Sequence, residues 1–166
     1  MKKIGLISDT HNYLDPKVEK YFKDCDEIWH VGDVGTIKVI DGLLKIVPIV
    51  RGVYGNIDGQ DIRGYFPKNL RFKCEDVDVW MTHIGGYPNR YSMDVRDIIK
   101  KNPPKLFISG HSHILKVMFD KKLNLLHINP GAAGKHGFHK VKTIVRFTID
   151  KENIKDLEVI ELGEKV

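Results

Sequence analysis

Five short β-rich runs in this chain each stop at a residue type that binds metal ions. KKIGLIS (2–8) runs into Asp9-Thr10-His11, DEIWHVGD (26–33) ends in Gly32-Asp33, and IVPIVRGVYGN (46–56) ends in Gly55-Asn56. VDVWMTH (77–83) stops on His83, and KLFISG (105–110) runs into His111-Ser112-His113. This constrains the fold because the carboxyl edge of an open α/β sheet is where strand-end side chains converge on a ligand. Glycine beside Asp33, Asn56 and His111 permits a sharp turn and close backbone approach. Taken singly, each residue has an ordinary explanation: Asp9 as a helix cap, Asn56 as a turn former, His83 as a core histidine. Five strand ends behaving alike do not.

Helical patterns fall between these runs. PKVEKYFKD (16–24) opens on a helix-compatible proline and has apolar residues at 18, 21 and 22. TIKVIDGLLK (36–45) reads as helical despite Gly42, and SMDVRDIIKKN (92–102) is a helix that Pro103-Pro104 stops. RFKCED and VDVWMTH (71–83) predict a hairpin, and ILKVMFD, LNLLHIN, KTIVRFTID and NIKDLEVIEL predict strands to the end. The first half alternates β and α, and the second half is expected to be mostly antiparallel β. This order predicts an α/β fold of two packed mixed β-sheets flanked by helices. The 166 residues predict one domain, 1–166, that buries about two-thirds of its unfolded surface.

Composition excludes several classes. The apolar stretch at the N-terminus stops at Ser8-Asp9, too short for a signal peptide, and no apolar run approaches the length of a membrane span. Cys25 and Cys74 form no CxxC, so neither a disulfide framework nor a thiolate zinc site is implied. The cytoplasm is the expected location. A net charge of +5 invites a nucleic-acid reading, but the lysines are scattered and not interleaved with aromatics. Nucleic acid is therefore not the favoured partner; the expected role of the charge is solubility and a mild pull on anionic substrates.

Asp9, His11, Asp33, Asn56, His83, His111 and His113 are too many ligands for one tetrahedral zinc. They suit two divalent ions bridged by one carboxylate. Imidazole mixed with carboxylate oxygen favours manganese, iron, nickel or zinc over calcium or magnesium. With only two carboxylates against two divalent cations, the site stays positive and attracts a phosphate.

The order D-x-H, GD, GN, H and GHSH, from Asp9 to about Gly131, resembles the calcineurin-like metallophosphoesterases. The short chain and the GNxD form of the third motif are similar to the small prokaryotic phosphodiesterase branch. The resemblance implies a four-layer αββα sandwich with the metals, manganese or nickel foremost, at one end of the sheets. It implies that Asp9, His11, Asp33 and His113 hold one ion and that Asp33, Asn56, His83 and His111 hold the other, with Asp33 bridging. The implied reaction is attack of a metal-bridging hydroxide on a small phosphodiester or phosphomonoester, with Asn56, His83 and Asp58 assigned to catalysis; Asp58 is equally readable as a simple turn aspartate. The family also includes the small subunit of retromer, so a non-catalytic scaffold for protein assembly is the alternative. Two departures stand out. Ile57 occupies the place where many larger relatives carry a proton-donating histidine, and no second histidine follows His83.

Two further stretches stay open at this level. HINPGAAGKHG (127–137) either presents backbone amides near the phosphate or simply connects strands, and His127, His136 and His139 are not assigned as ligands. IGGYPNRY (84–91) is a candidate substrate-facing cap, with Arg90 as a phosphate contact and Tyr87 or Tyr91 as a base or ring platform.

Overall fold

The computed structural model describes residues 1–166. Its layering follows from strands that are apolar on both faces, which must lie between two covering layers. In β1 (Lys2–Ile7), Ile4 and Leu6 join a buried cluster with Trp29, Met81, Ile108 and Phe147. Ile7 faces the other way, into a cluster with Val18, Phe22, Ile40 and Leu43. A Cβ on Gly5 would stand 2.8 Å from the Phe22 ring, so the missing side chain lets helix α1 (Lys17–Phe22) lie close on the sheet.

The first sheet has the order β12-β11-β1-β2-β3. Strands β2 (Glu27–His30) and β3 (Ile49–Gly52) continue β1 in parallel, while β11 (Val141–Asp150) and β12 (Asn153–Glu164) add antiparallel neighbours. Helices α1, α2 (Ile37–Leu44) and α3 (Gln60–Tyr65) contribute buried residues to the outer face of this sheet. The second sheet has the order β4-β5-β8-β10-β9, comprising β4 (Asn69–Cys74), β5 (Val77–Thr82), β8 (Leu106–Ile108), β10 (Leu125–Asn129) and β9 (Lys116–Asp120). Its outer face, with Trp80, Phe107 and Leu125, is covered by Val95 and Ile99 of α4 (Met93–Lys101). A two-stranded ribbon, β6 (Gly86–Tyr87) and β7 (Arg90–Tyr91), stands apart from both sheets. The helix–sheet–sheet–helix order matches the expected sandwich. No helix is long and apolar enough to cross a membrane.

The second half is mostly antiparallel, as expected, with one exception at β8. β8 pairs in parallel with both β5 and β10. The connection from β5 passes through α4, and a crossover helix returns the chain in the same direction. The run 46–56 is also shorter than expected, with only Ile49–Gly52 in the ladder. Helix α3 carried no readable signal, because QDIRGY buries only Ile62 and contains a glycine.

Candidate metal centre

The carboxyl ends of β1, β2 and β3 from one sheet meet those of β5 and β8 from the other. The ligand atoms of Asp9, His11 and His113 form one group and those of Asp33, His83 and His111 a second, each within 4.8 Å. Asn56 joins the second group, with its Oδ1 2.9 Å from His111 Nδ1. The groups abut: His11 Nε2 is 3.5 Å from Asp33 Oδ2, and His83 Nε2 is 3.8 Å from Asp9 Oδ1. Every residue that the strand ends singled out is present in this one cluster.

Backbone conformation aims these side chains. The Asp9 and His11 amides donate to the Gly32 and Asp33 carbonyls at 3.0 Å, and the Gly110 amide donates to the His83 carbonyl at 3.0 Å. Asp9, His11, Asp33, His111 and His113 all have φ between 44° and 69°, the left-handed region that side-chain-bearing residues rarely adopt. Such residues cost about 1–3 kcal/mol each and cluster at functional sites. Gly55 is required for a different reason. A Cβ there would stand 2.1 Å from Asp33 Oδ1.

The polar atoms divide into those already held and those left open. Asp33 Oδ1 accepts from the Ile57 amide at 3.0 Å, and Asp9 Oδ2 accepts from Ser8 Oγ at 2.5 Å and the His111 amide at 3.2 Å. His83 Nδ1 lies 2.7 Å from the Val31 carbonyl. A carbonyl only accepts, so Nδ1 carries the proton and Nε2 turns its lone pair toward the carboxylates. Asp9 Oδ1, His11 Nε2 and His83 Nε2 are buried and have no hydrogen-bond partner. Lone pairs gathered this closely repel unless a proton or a cation lies among them. The donor set therefore fits divalent cations of the transition series.

The charges respond accordingly. Burial opposes ionisation of Asp9, but the neighbouring imidazoles of His11, His113 and His83 hold its carboxyl well below the usual range. Burial likewise works against charge on Asp33, and His83 more than offsets it. Burial disfavours the His83 imidazolium, yet the Asp33 and Asp9 carboxylates raise its pKa.

Several placements differ from, or add to, the sequence reading. The Asp58 carboxylate, assigned to catalysis, is buried and accepts from the Gly55, Val34 and Gly35 amides at 2.7, 3.2 and 2.9 Å. It clamps the turn after β3 to the loop after β2. Three amides of 127–137 are already engaged: Ala133 donates to the Ser8 carbonyl, Gly134 to the Asp9 carbonyl and Gly131 to Asn129 Oδ1. Tyr91 donates its hydroxyl to Asp120 Oδ2 at 2.7 Å, and burial with that carboxylate raises its pKa, so it is no base. Tyr87 instead lies beneath Lys116 Nζ, 3.7 Å from the ring centroid. The unassigned His136 and His139 lie beside the first group, their rings 4.8 Å and 5.2 Å from His11 and His113.

His30 was missed altogether. Its Nδ1 accepts from the Gly32 amide at 3.1 Å, so Nε2 is protonated and donates to Thr10 Oγ1 at 3.0 Å. Thr10 passes the chain on to the Val34 carbonyl at 2.8 Å. Burial pushes the His30 pKa down to about 3 and keeps the ring neutral, tying the first two ligand loops together. The only sequence signal was its position, three residues before Asp33.

A two-sheet sandwich carrying a histidine–carboxylate centre on its strand ends defines a class of metal-binding α/β proteins. Residues 1–152 match the calcineurin-like phosphoesterase superfamily domain, and the chain belongs to that superfamily. It is 30% identical over 135 residues to a probable metallophosphoesterase of Methanocaldococcus jannaschii, covering 78% of this chain and 67% of that one. A phosphodiesterase of the same organism is 28% identical over 145 residues, covering 78% of this chain and 82% of the other. In fold, the chain is similar to a structurally characterised archaeal phosphodiesterase, with a TM-score of 0.78 and 23% identity over 96% of this chain and 99% of that one.

Proposed function

We propose that the protein is a phosphodiesterase dependent on two divalent metal ions, manganese or nickel foremost, with residues 1–166 acting as one domain. Asp9, His11, Asp33 and His113 hold one ion; Asp33, Asn56, His83 and His111 hold the second. The observation that carries this reading is the set of buried, partnerless ligand atoms on Asp9, His11 and His83. Asp33 is assigned as the bridge because its Oδ2 lies between His11 Nε2 at 3.5 Å and His83 Nε2 at 3.2 Å. The relative named as a phosphodiesterase supports the substrate class.

When bound, the ions offset charge on the phosphate and lower the pKa of water toward about 7. The protein's own residues prepare that chemistry. Val31 fixes the His83 tautomer, and Ser8 and the His111 amide hold Asp9 in place. The exposed Ile57, beside Asn56, can neither donate a proton nor bond to a phosphoryl oxygen. A missing general acid forfeits about 10²–10⁴-fold, mainly on poor leaving groups.

Elemental analysis after reconstitution, followed by rates across aryl and alkyl diesters of graded leaving-group pKa, tests the proposal. The expected result is two ions per chain and a rate that falls steeply as leaving-group pKa rises. Ile57→His should flatten that slope. One ion or fewer, with no metal-dependent hydrolysis, would return the protein to the scaffold reading. A flat series in the unmodified protein would mean that another residue supplies the proton.

A further inference from the structure

Strand β10 alternates, sending Leu126 and Ile128 between the sheets and leaving Leu125, His127 and Asn129 on the face toward α4. His127 is 1% exposed, lies beside Phe107 with ring centroids 5.6 Å apart, and is paired across the ladder with Met118. Its Nδ1 lies 3.1 Å from the Phe107 carbonyl, so that nitrogen carries the proton. The other nitrogen, Nε2, is a lone-pair acceptor with no partner. A buried acceptor left unpaired is costly, and such groups call for a reason.

That reason lies in the surroundings of the ring. His127 lines a cleft of about 240 Å³ that reaches the metal-centre residue His111 and is walled by Ile84, Tyr87, Ile114 and Lys116. Arg90 stands at its edge, and Lys116 over the Tyr87 ring adds a second cation. Asn129, also on this wall, is already spent: its amide group donates to the Gly110 carbonyl and Ser112 Oγ, and its oxygen accepts from Gly131. Among the side chains of the cleft, His127 alone is a buried polar group without a partner. The volume falls just below that of drug-sized sites, about 300–1,000 Å³, which suits one small organic group rather than a polymer.

We propose that this cleft holds the ester group that stays on the phosphate, and that His127 Nε2 selects a group presenting an O–H or N–H donor. The proposal rests on the phosphodiesterase reading above and narrows its substrate class. Ile57 follows β3 of the first sheet, whereas the cleft is lined from the ends of β8 and β10 in the second, so Ile57 is not among its walls. Arg90 and Lys116 suit the phosphate's charge, and Tyr87 and Ile114 suit the carbon body of the retained group. A site built around a hydrogen bond discriminates against analogues lacking it far more strongly than a hydrophobic pocket discriminates by size. Both a nucleoside and a polyol supply such a donor.

The test compares three nitrophenyl diesters with the same leaving group and different retained groups: uridine, glyceryl and ethyl. The unmodified protein should favour the first two over the ethyl ester by about 10- to 100-fold in kcat/KM, the worth of one buried acceptor. In His127→Leu that preference should collapse while the ethyl rate stays within about threefold; His127→Gln, which keeps an acceptor, should restore part of it. The nucleoside and glyceryl arms identify which donor source is read. In parallel, the zinc-loaded protein labelled with ¹⁵N on histidine is titrated with uridine monophosphate, glycerol phosphate and ethyl phosphate. The His127 Nε2 resonance should move with the first two and not with the third. Equal handling of all three ligands, or a preference that survives in His127→Leu, overturns the proposal. An intact Nε2 response without hydrolysis of any ester overturns the phosphodiesterase reading and leaves the subsite standing. Unchanged thermal midpoint and metal content in both variants exclude a folding defect.

Discussion

Strand β2 has a buried carboxylate at its start and another just past its end, and the two are satisfied in opposite ways. At the start, Glu27 accepts from Trp29 Nε1 at 2.8 Å and Arg51 Nε at 2.9 Å, with Lys2 Nζ 3.8 Å away. Past the end, the only basic side chains within ion-pair distance of Asp33 are histidines, His83 Nε2 at 3.2 Å and His11 Nε2 at 3.5 Å, with no lysine or arginine in reach. Arginine cannot give up its charge, so Glu27 is a closed structural pair. Histidine gives up its proton near neutral pH, so Asp33 can exchange that proton for a metal ion. Within one strand, the carboxylate denied a permanent cation is the one placed for chemistry.

The comparison can be broken most forcefully at Asp33. Asp33→Asn should lose at least one metal ion and more than about 10²-fold in diesterase activity, since even partners of the ligands are worth 10–100-fold. Asp9→Asn, whose carboxylate sits nearest His113 at 3.1 Å, should retain more metal. Elemental analysis of both variants decides the matter, and equal retention would remove the bridging role from Asp33.

Glu27→Gln should do the reverse: metal stoichiometry intact, stability reduced by about 1–2 kcal/mol, because the amide oxygen still accepts from Trp29 but the charge that pairs with half-exposed Arg51 is gone. Chemical denaturation reads this directly. A variant as stable as the parent would show that solvent already satisfies Arg51.

The two ends should also separate along the pH axis. Burial works against charge on Glu27, but Arg51 and Trp29 hold its pKa below the unfolded value of 4.5. Its stabilisation is therefore full above that value and is lost as pH falls through the depressed one. The His83 pKa is raised above 6.5 by Asp33 and Asp9 despite burial, so a proton begins to compete with metal already above that pH. Metal affinity should fall about tenfold per pH unit below the His83 pKa, while the fold persists to much lower pH. Isothermal titration with metal at several pH values, beside acid unfolding, checks the separation; coincident transitions would contradict it.

The smallest expected effect sits between the two ends. His30→Leu removes the link from Gly32 through Thr10 to Val34 and should weaken metal binding by about tenfold while leaving Glu27 and its partners untouched. A metal titration of that variant showing no loss would make His30 a space-filling core residue.

Much of this was readable beforehand, for a physical reason. The identity of each ligand and its place at a strand end are local properties: a period-two apolar run, then a turn glycine, then a donor side chain. Asp58 stayed open between a catalytic and a turn role because a carboxylate near a candidate ligand looks the same in sequence whether it meets substrate or, as here, three backbone amides. His30 was overlooked because a histidine inside an apolar run carries no mark of what it bonds. Tyr91 read as a candidate base until Asp120, far along the chain, proved to hold its hydroxyl.

The sequence by itself determined the candidate ligand positions, most of the strands and helices, and the two-sheet class, because apolar periodicity and turn chemistry act over a few neighbouring residues. Tertiary structure decided the rest. It made β5, β8 and β10 parallel, turned five ligand residues into left-handed backbone, and set Asp9 Oδ2 on the amide of His111, 102 residues away. It also buried His127 in the wall of a cleft with one nitrogen unpaired. Each of these depends on which distant surfaces come to lie against one another, and contacts of that range leave no periodic trace along the chain.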